Sequence, residues 1–139
     1  MTAAILDTGP LVAFFDRAER RHQWVVERFE QHDAPLLVCE PVLTEAMYLL
    51  QRFPKAQDAI LELLQKGALT VSFRIEEHFE TLRALLQKYS DLPMSLADAC
   101  IVRMAEIHDR YAVLTLDSDF LIYRKNGHSP LPLIYPASA

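Results

Sequence analysis

The chain has 139 residues, of which 51% are hydrophobic and 24% charged, and its net charge at pH 7 is −5. This size suits one domain, expected over residues 1–139, with a single core that needs no staples, and the negative charge argues against a strongly basic nucleic-acid binder. No apolar run reaches the ~18 residues that cross a bilayer, and no signal peptide is evident, so a cytoplasmic protein with no membrane partner is expected.

Residues 3–7 form a short apolar strand that ends in Asp7-Thr8-Gly9-Pro10. Gly9 is expected to supply a turn, and Pro10 suits a first helical position, so a short helix is expected over Leu11 to Asp16. Helical spacing of Trp24, Val25, Arg28 and Phe29 predicts a second helix from Arg20 to Gln31. Pro35 to Cys39 reads as a buried strand, Val42 to Arg52 as a helix broken near Pro54, and Lys55 to Lys66 as an amphipathic helix stopped by Gly67. Ala68 to Phe73 alternates like a strand, and Glu76 to Tyr89 is helical. Ser95 caps a helix that runs to about Asp109. A strand at Tyr111 to Leu116, a short helix near Asp119 to Arg124 and a Pro-flanked edge strand at Leu131 to Tyr135 complete the series. Strands alternating with helices predict an α/β fold: a mostly parallel central sheet of about five strands with helices on both faces. Cys39 and Cys100 lie in apolar segments and form no C-x-x-C, so both are read as reduced core residues.

The acids stand out against this frame. Asp7 and Asp117 follow strands, while Glu45 and Asp98 lie in the opening turns of helices. In an alternating α/β fold such positions gather at the carboxyl edge of the sheet, where ligands bind. Gathered carboxylates repel one another, and a hard divalent cation relieves the repulsion. Each acid has a plainer role open to it. Asp98 can close a capping box with Ser95, and Asp7 can bond the backbone of the next turn. Of Asp117 and Asp119, one can be a turn or cap residue. Asp117 directly follows its strand and is the preferred ligand, with Asp119 as an alternative or supporting acid. Glu45 shares a helix face with Val42, Tyr48 and Leu49 and is expected to face partly inward. The five histidines form no zinc spacing. Arg124 and Lys125 follow the Asp117 loop and are candidate contacts for phosphate, beside the plainer reading of a solvated face.

Taken in order, Ile5-Leu6-Asp7-Thr8-Gly9-Pro10-Leu11-Val12-Ala13, Thr44-Glu45, Ser95-Leu96-Ala97-Asp98-Ala99 and Thr115-Leu116-Asp117-Ser118-Asp119-Phe120 resemble a PIN domain, and most closely a small VapC-type toxin. The resemblance covers essentially the whole chain. It implies a three-layer α/β/α sandwich and a ribonuclease that depends on Mg²⁺ or Mn²⁺, with Asp7, Glu45, Asp98 and Asp117 as the catalytic, metal-site acids. Thr8 and Thr115 would be polar supports beside them. An RNA substrate, a cognate antitoxin and a homodimer are further implications. Gly9-Pro10 departs from the small polar residue usual after the first Asp-Thr. Two other enzyme readings fit less well. A phosphatase nucleophile wants a second Asp at the position of Gly9, and a phosphoacceptor domain wants a paired acid on the first strand. The remaining alternative is a PIN-like module that binds RNA or a protein partner without turnover.

Overall fold

The computed structural model describes residues 3–32 and 35–137. From the amino end, β1 (Ala4–Leu6) leads into α1 (Thr8–Phe15) and α2 (His22–Glu30). Next come β2 (Leu36–Val38), α3 (Glu40–Leu49) and α4 (Pro54–Lys66). Then β3 (Leu69–Val71) is followed by a 3₁₀ turn at Ile75–Glu77, α5 (Phe79–Lys88) and α6 (Leu96–Ile107). Last are β4 (Ala112–Leu114), a 3₁₀ turn at Ser118–Leu121, a hairpin of β5 (Arg124–Lys125) and β6 (Ser129–Pro130), and β7 (Leu133–Ile134).

The five-stranded sheet has the order β3-β2-β1-β4-β7, and every pairing in it is parallel. Its register sets Ile5 beside both Leu37 and Val113. The central strands read as continuous apolar runs because both their faces are covered: β1 and β2 are buried throughout, and β4 nearly so. The edge strands β3 and β7 are only partly buried. The chain runs from β1 through β2 to β3 in one direction and from β3 to β4 and β7 in the other. With right-handed crossovers, this reversal puts the two sets of helices on opposite faces of the sheet. It also makes the β1–β4 junction the topological switch point, the position at which folds of this kind place their ligand site.

Local chemistry explains several helix boundaries. Gly67 ends α4 in the left-handed conformation, φ 81°, with its N–H on the last-turn carbonyls. Ile60, on the apolar stripe of α4, is fully buried, a burial worth roughly 1.5–3 kcal/mol. Ser95 caps α6, its hydroxyl accepting from the Asp98 N–H at 3.0 Å. Both cysteines are buried and free.

Four sequence expectations need correction. α1 starts at Thr8, because the Asp7 side chain caps it. Gly9 is therefore helical, and Pro10 sits third in the helix, where the missing N–H still costs no intrahelical bond. Residues 76–89 divide into a 3₁₀ turn and α5 at His78. The helix expected over 119–124 is a 3₁₀ turn over Ser118–Leu121, and Arg124 and Lys125 belong to a strand. That strand opens the hairpin, whose turn uses positive φ at Asn126 (54°) and Gly127 (82°). Asn-Gly is the dipeptide that such turns prefer, so the signal was present in the sequence.

Candidate active site

The switch point is built on two adjacent strand ends. Asp7 follows β1, and its N–H extends the ladder to the Leu114 carbonyl at 3.1 Å. Its backbone is extended, and its Oδ1 accepts from the Thr8 N–H at 2.8 Å as the cap of α1. On the neighbouring strand, Thr115 donates its hydroxyl to Asp7 Oδ2 at 2.7 Å and accepts from the Asp117 N–H at 3.0 Å. The direction of the Thr115 hydroxyl is therefore set by what flanks it. Asp7, Thr8 and Thr115 are the buried polar or charged residues of this core.

The other acids join this centre from three elements. Asp117 caps the second 3₁₀ turn, its Oδ1 accepting from the Asp119 N–H at 2.9 Å. Glu45, on α3, accepts from the Thr8 hydroxyl at 3.3 Å. It is exposed rather than turned inward; the apolar face of α3 that the core takes is Val42 and Ala46. Asp98 is the third residue of α6, and its Oδ2 accepts from the Tyr123 hydroxyl at 2.9 Å. The capping role foreseen for Asp98 and its place in the acid group thus coexist. Each of these carboxylates is held by neutral donors: backbone N–H groups, threonine hydroxyls and a phenol.

Burial pushes the Asp7 carboxyl up to about 6, against the opposing pull of the Thr115 and Thr8 hydrogen bonds, and repulsion from Asp98 and Asp117 adds to the rise. Asp98 is also raised, by burial first, with the Tyr123 bond opposing and Asp117 repelling. Mutual repulsion places Asp7, Asp98 and Asp117 in one electrostatic neighbourhood. Tyr123 is pushed above the ordinary phenol range by burial, then by its bond to Asp98, so it remains a donor.

This donor set fits a hard cation. It is all oxygen, it is negative, and among the described residues none of the four acids has an ion-pair partner. Among the same residues no three His, Cys, Asp or Glu side chains already close on one point. Mg²⁺ retains several waters and needs few direct protein ligands. Glu45 also borders an open groove of about 490 Å³, walled by Pro41, Thr44, Ile75 and Leu96. A second hollow of about 300 Å³, lined by Phe29, Leu36 and Leu63, touches none of the acids.

The remaining sequence candidates are placed as follows. Asp119 is half-buried beside Asp117, and its charge reaches Tyr123. Arg124 donates through one guanidinium nitrogen, Nη1, to the carbonyls of Leu121, Ile122 and Tyr123 at 2.9–3.1 Å. Lys125 pairs with Asp109 at 2.8 Å, beyond the carboxyl end of α6 and so at the opposite end of that helix from Asp98. Histidines do structural work: His22 bonds the Ala13 carbonyl at 2.6 Å, and His78 stacks on Phe73 and accepts from Arg103. Tyr123 escaped the sequence reading. Its only signal was an aromatic three residues after Phe120, closing the loop that carries Asp117.

The PIN domain profile matches residues 4–126. Ribonuclease VapC26 of Mycobacterium tuberculosis is 32% identical over 115 residues, covering 81% of this chain and 85% of the relative. Among solved structures, VapC20 of M. tuberculosis, described as a sarcin-ricin loop cleaving toxin, superimposes with a TM-score of 0.74. That match has 17% identity over 85% of this chain and 92% of the other. A toxin–antitoxin complex from Klebsiella pneumoniae gives 0.62 at 21% identity, over 83% and 87% of the two chains. VapBC2 from Rickettsia felis, bound to a DNA fragment from its promoter, gives 0.62 at 15%, over 97% and 99%. At such identities the three structures speak for the fold.

Proposed function

This chain belongs to the PIN domain family, and from that premise we propose that it is a divalent-metal-dependent endoribonuclease, the toxin of a toxin–antitoxin pair, with the full 139 residues as its one domain. What supports the reading is that hydrogen bonds through Thr8 and Thr115 connect Glu45, Asp7 and Asp117 at the β1–β4 switch point, that Asp98 lies within repulsive reach of Asp7 and Asp117, and that among the described residues none of the four has an ion-pair partner. We assign these four acids to the cation, Mg²⁺ first and Mn²⁺ as its substitute. When bound, such an ion supplies Lewis acidity and charge neutralisation at a phosphodiester.

The chain's own residues do the rest. Asp7 is the fixed centre, because both its oxygens are held before anything binds. Thr115 couples Asp7 to the backbone of Asp117, and Thr8 couples it to Glu45. Asp117 and Glu45 are exposed and are the acids we assign to meet an incoming phosphate through the cation. The groove beside Glu45 lies open to a single-stranded RNA, with Pro41, Ile75 and Leu96 offering apolar contact to bases. Arg124 is the basic residue we assign to RNA phosphate. Lys125 is a weaker candidate, since Asp109 already holds it. Exposed apolar side chains at the α3–α4 turn and on α4, Tyr48, Leu49, Phe53 and Leu61, support protein partners: a cognate antitoxin and a second copy of the chain.

A panel of single-stranded RNAs incubated with the purified protein tests this reading. Cleavage is expected with Mg²⁺ or Mn²⁺ and should vanish in EDTA. Binding without cleavage under every metal condition would instead identify a non-catalytic module.

A further inference from the structure

We propose that Tyr123 is a positioning residue for the cation site: its hydroxyl pins Asp98 in one rotamer, so that the carboxylate meets the ion with a preset orientation. The inference rests on the reading of Asp98 as a metal-site acid. Asp7, Glu45 and Asp117 are held by donors from α1 and the strand-end loops. Asp98 projects from the first turn of α6, and the hydroxyl that reaches its Oδ2 comes from 25 residues further along the chain. Ser95, the cap of α6, also bonds this half-buried carboxylate, and the Tyr123 hydroxyl adds a second anchor that narrows its choice of rotamers.

Tyr123 is well built for this role. Its side chain is fully buried. Its ring is wedged edge-on between Tyr89, at 5.0 Å, and Phe120, at 5.1 Å. Its N–H is bonded to the Asp119 carbonyl at 3.2 Å, inside the loop that Asp117 caps. One rigid residue thereby ties the acid of α6 to the acid loop after β4. A phenol is also the right kind of donor. It orients the carboxylate without neutralising it, whereas a lysine or arginine in its place would compete with the cation. Partners of this sort behind a metal ligand typically account for 10- to 100-fold in metal affinity.

The test measures Mn²⁺ binding to the full-length protein without RNA, by the electron paramagnetic resonance signal of free Mn²⁺. Tyr123→Phe deletes the hydroxyl and keeps the ring. It should raise the Mn²⁺ Kd about tenfold, lower kcat with little change in KM for RNA, and retain a cooperative melt. In an Asp98→Asn background the same substitution should have no further effect on Kd. An unchanged Kd in folded Tyr123→Phe overturns the proposal and leaves the ribonuclease reading standing. Failure of the unsubstituted protein to bind Mn²⁺ overturns both. A parallel measurement needs no variant: with 3-fluorotyrosine incorporated, saturating Mg²⁺ should shift a tyrosine ¹⁹F resonance, and the absence of any such shift also overturns the proposal.

Discussion

The two ends of α6 hold carboxylates in opposite circumstances. At the carboxyl end, Glu106 pairs with Arg103 at 3.1 Å and accepts from the Asn126 N–H at 2.7 Å, while Asp109 pairs with Lys125 at 2.8 Å. At the amino end, Asp98 is bonded to a phenol and faces Asp7 and Asp117. The shifts follow suit: Asp109 is lowered by its bond to Lys125, and Asp98 is raised by burial. The lesson concerns where charge is left unfinished. One end contains its own counter-charges and staples the hairpin to the helix. The other gathers like charges and orients them with neutral donors, the arrangement proposed above for a cation.

Substitutions at the two ends should therefore do different things. Asp98→Asn is expected to lower RNA cleavage by about 1,000-fold, on the order of 4 kcal/mol of transition-state stabilisation, with the fold retained by circular dichroism. Wild-type turnover in that variant would erase the distinction between the ends.

The next largest effect is a pH dependence in metal-free buffer. Asp7 titrates near 6 in the folded chain and near 3.9 when unfolded. Between these values the folded state binds more protons, so stability falls as pH rises from about 4 to about 6 and then levels. The contribution lost is about 3 kcal/mol. Asp7→Asn should flatten that slope in denaturant titrations, and an identical slope in the variant would contradict the electrostatic picture of the site. Glu106→Gln is the mirror experiment. It should cost about 2 kcal/mol of stability by weakening charged hydrogen bonds, while cleavage stays within about twofold of wild type.

The smallest effects distinguish the two basic residues of β5. Arg124→Ala should reduce the slope of log K against log salt for RNA binding by about one. Lys125→Ala should leave that slope alone, because the lysine sits with Asp109 at the end of α6 that closes its own charges. Equal slopes in both variants would remove Arg124 from the interface.

Much of the fold was legible in the chain. Short apolar runs marked β1, β2 and β4, Gly67 marked the end of α4, and Ser95 with Asp98 marked the start of α6. These signals are local, since caps, turns and burial on both faces act over a few residues. The errors were local too, and each came from a competing local rule. Asp7 capped α1 earlier than Pro10 suggested, and the helix expected over 119–124 stopped as a 3₁₀ turn at Leu121, ahead of the hairpin turned by Asn126-Gly127. Among the site residues, Asp7, Thr115 and Asp98 lie where strand ends and caps place them. Glu45 was expected to face inward but stands exposed, because α3 gives its buried face to Val42 and Ala46.

What the sequence determined by itself was the kind of each element and the order in which the acids occur, because both are written in short-range pattern. It could not determine that Thr115 reaches across 108 positions to Asp7, or that Tyr123 reaches Asp98. Those meetings depend on which strands become neighbours and how rings pack behind them. Strand order is settled by the summed burial of many side chains, each worth a few kcal/mol at most, and only the folded tertiary structure carries out that sum.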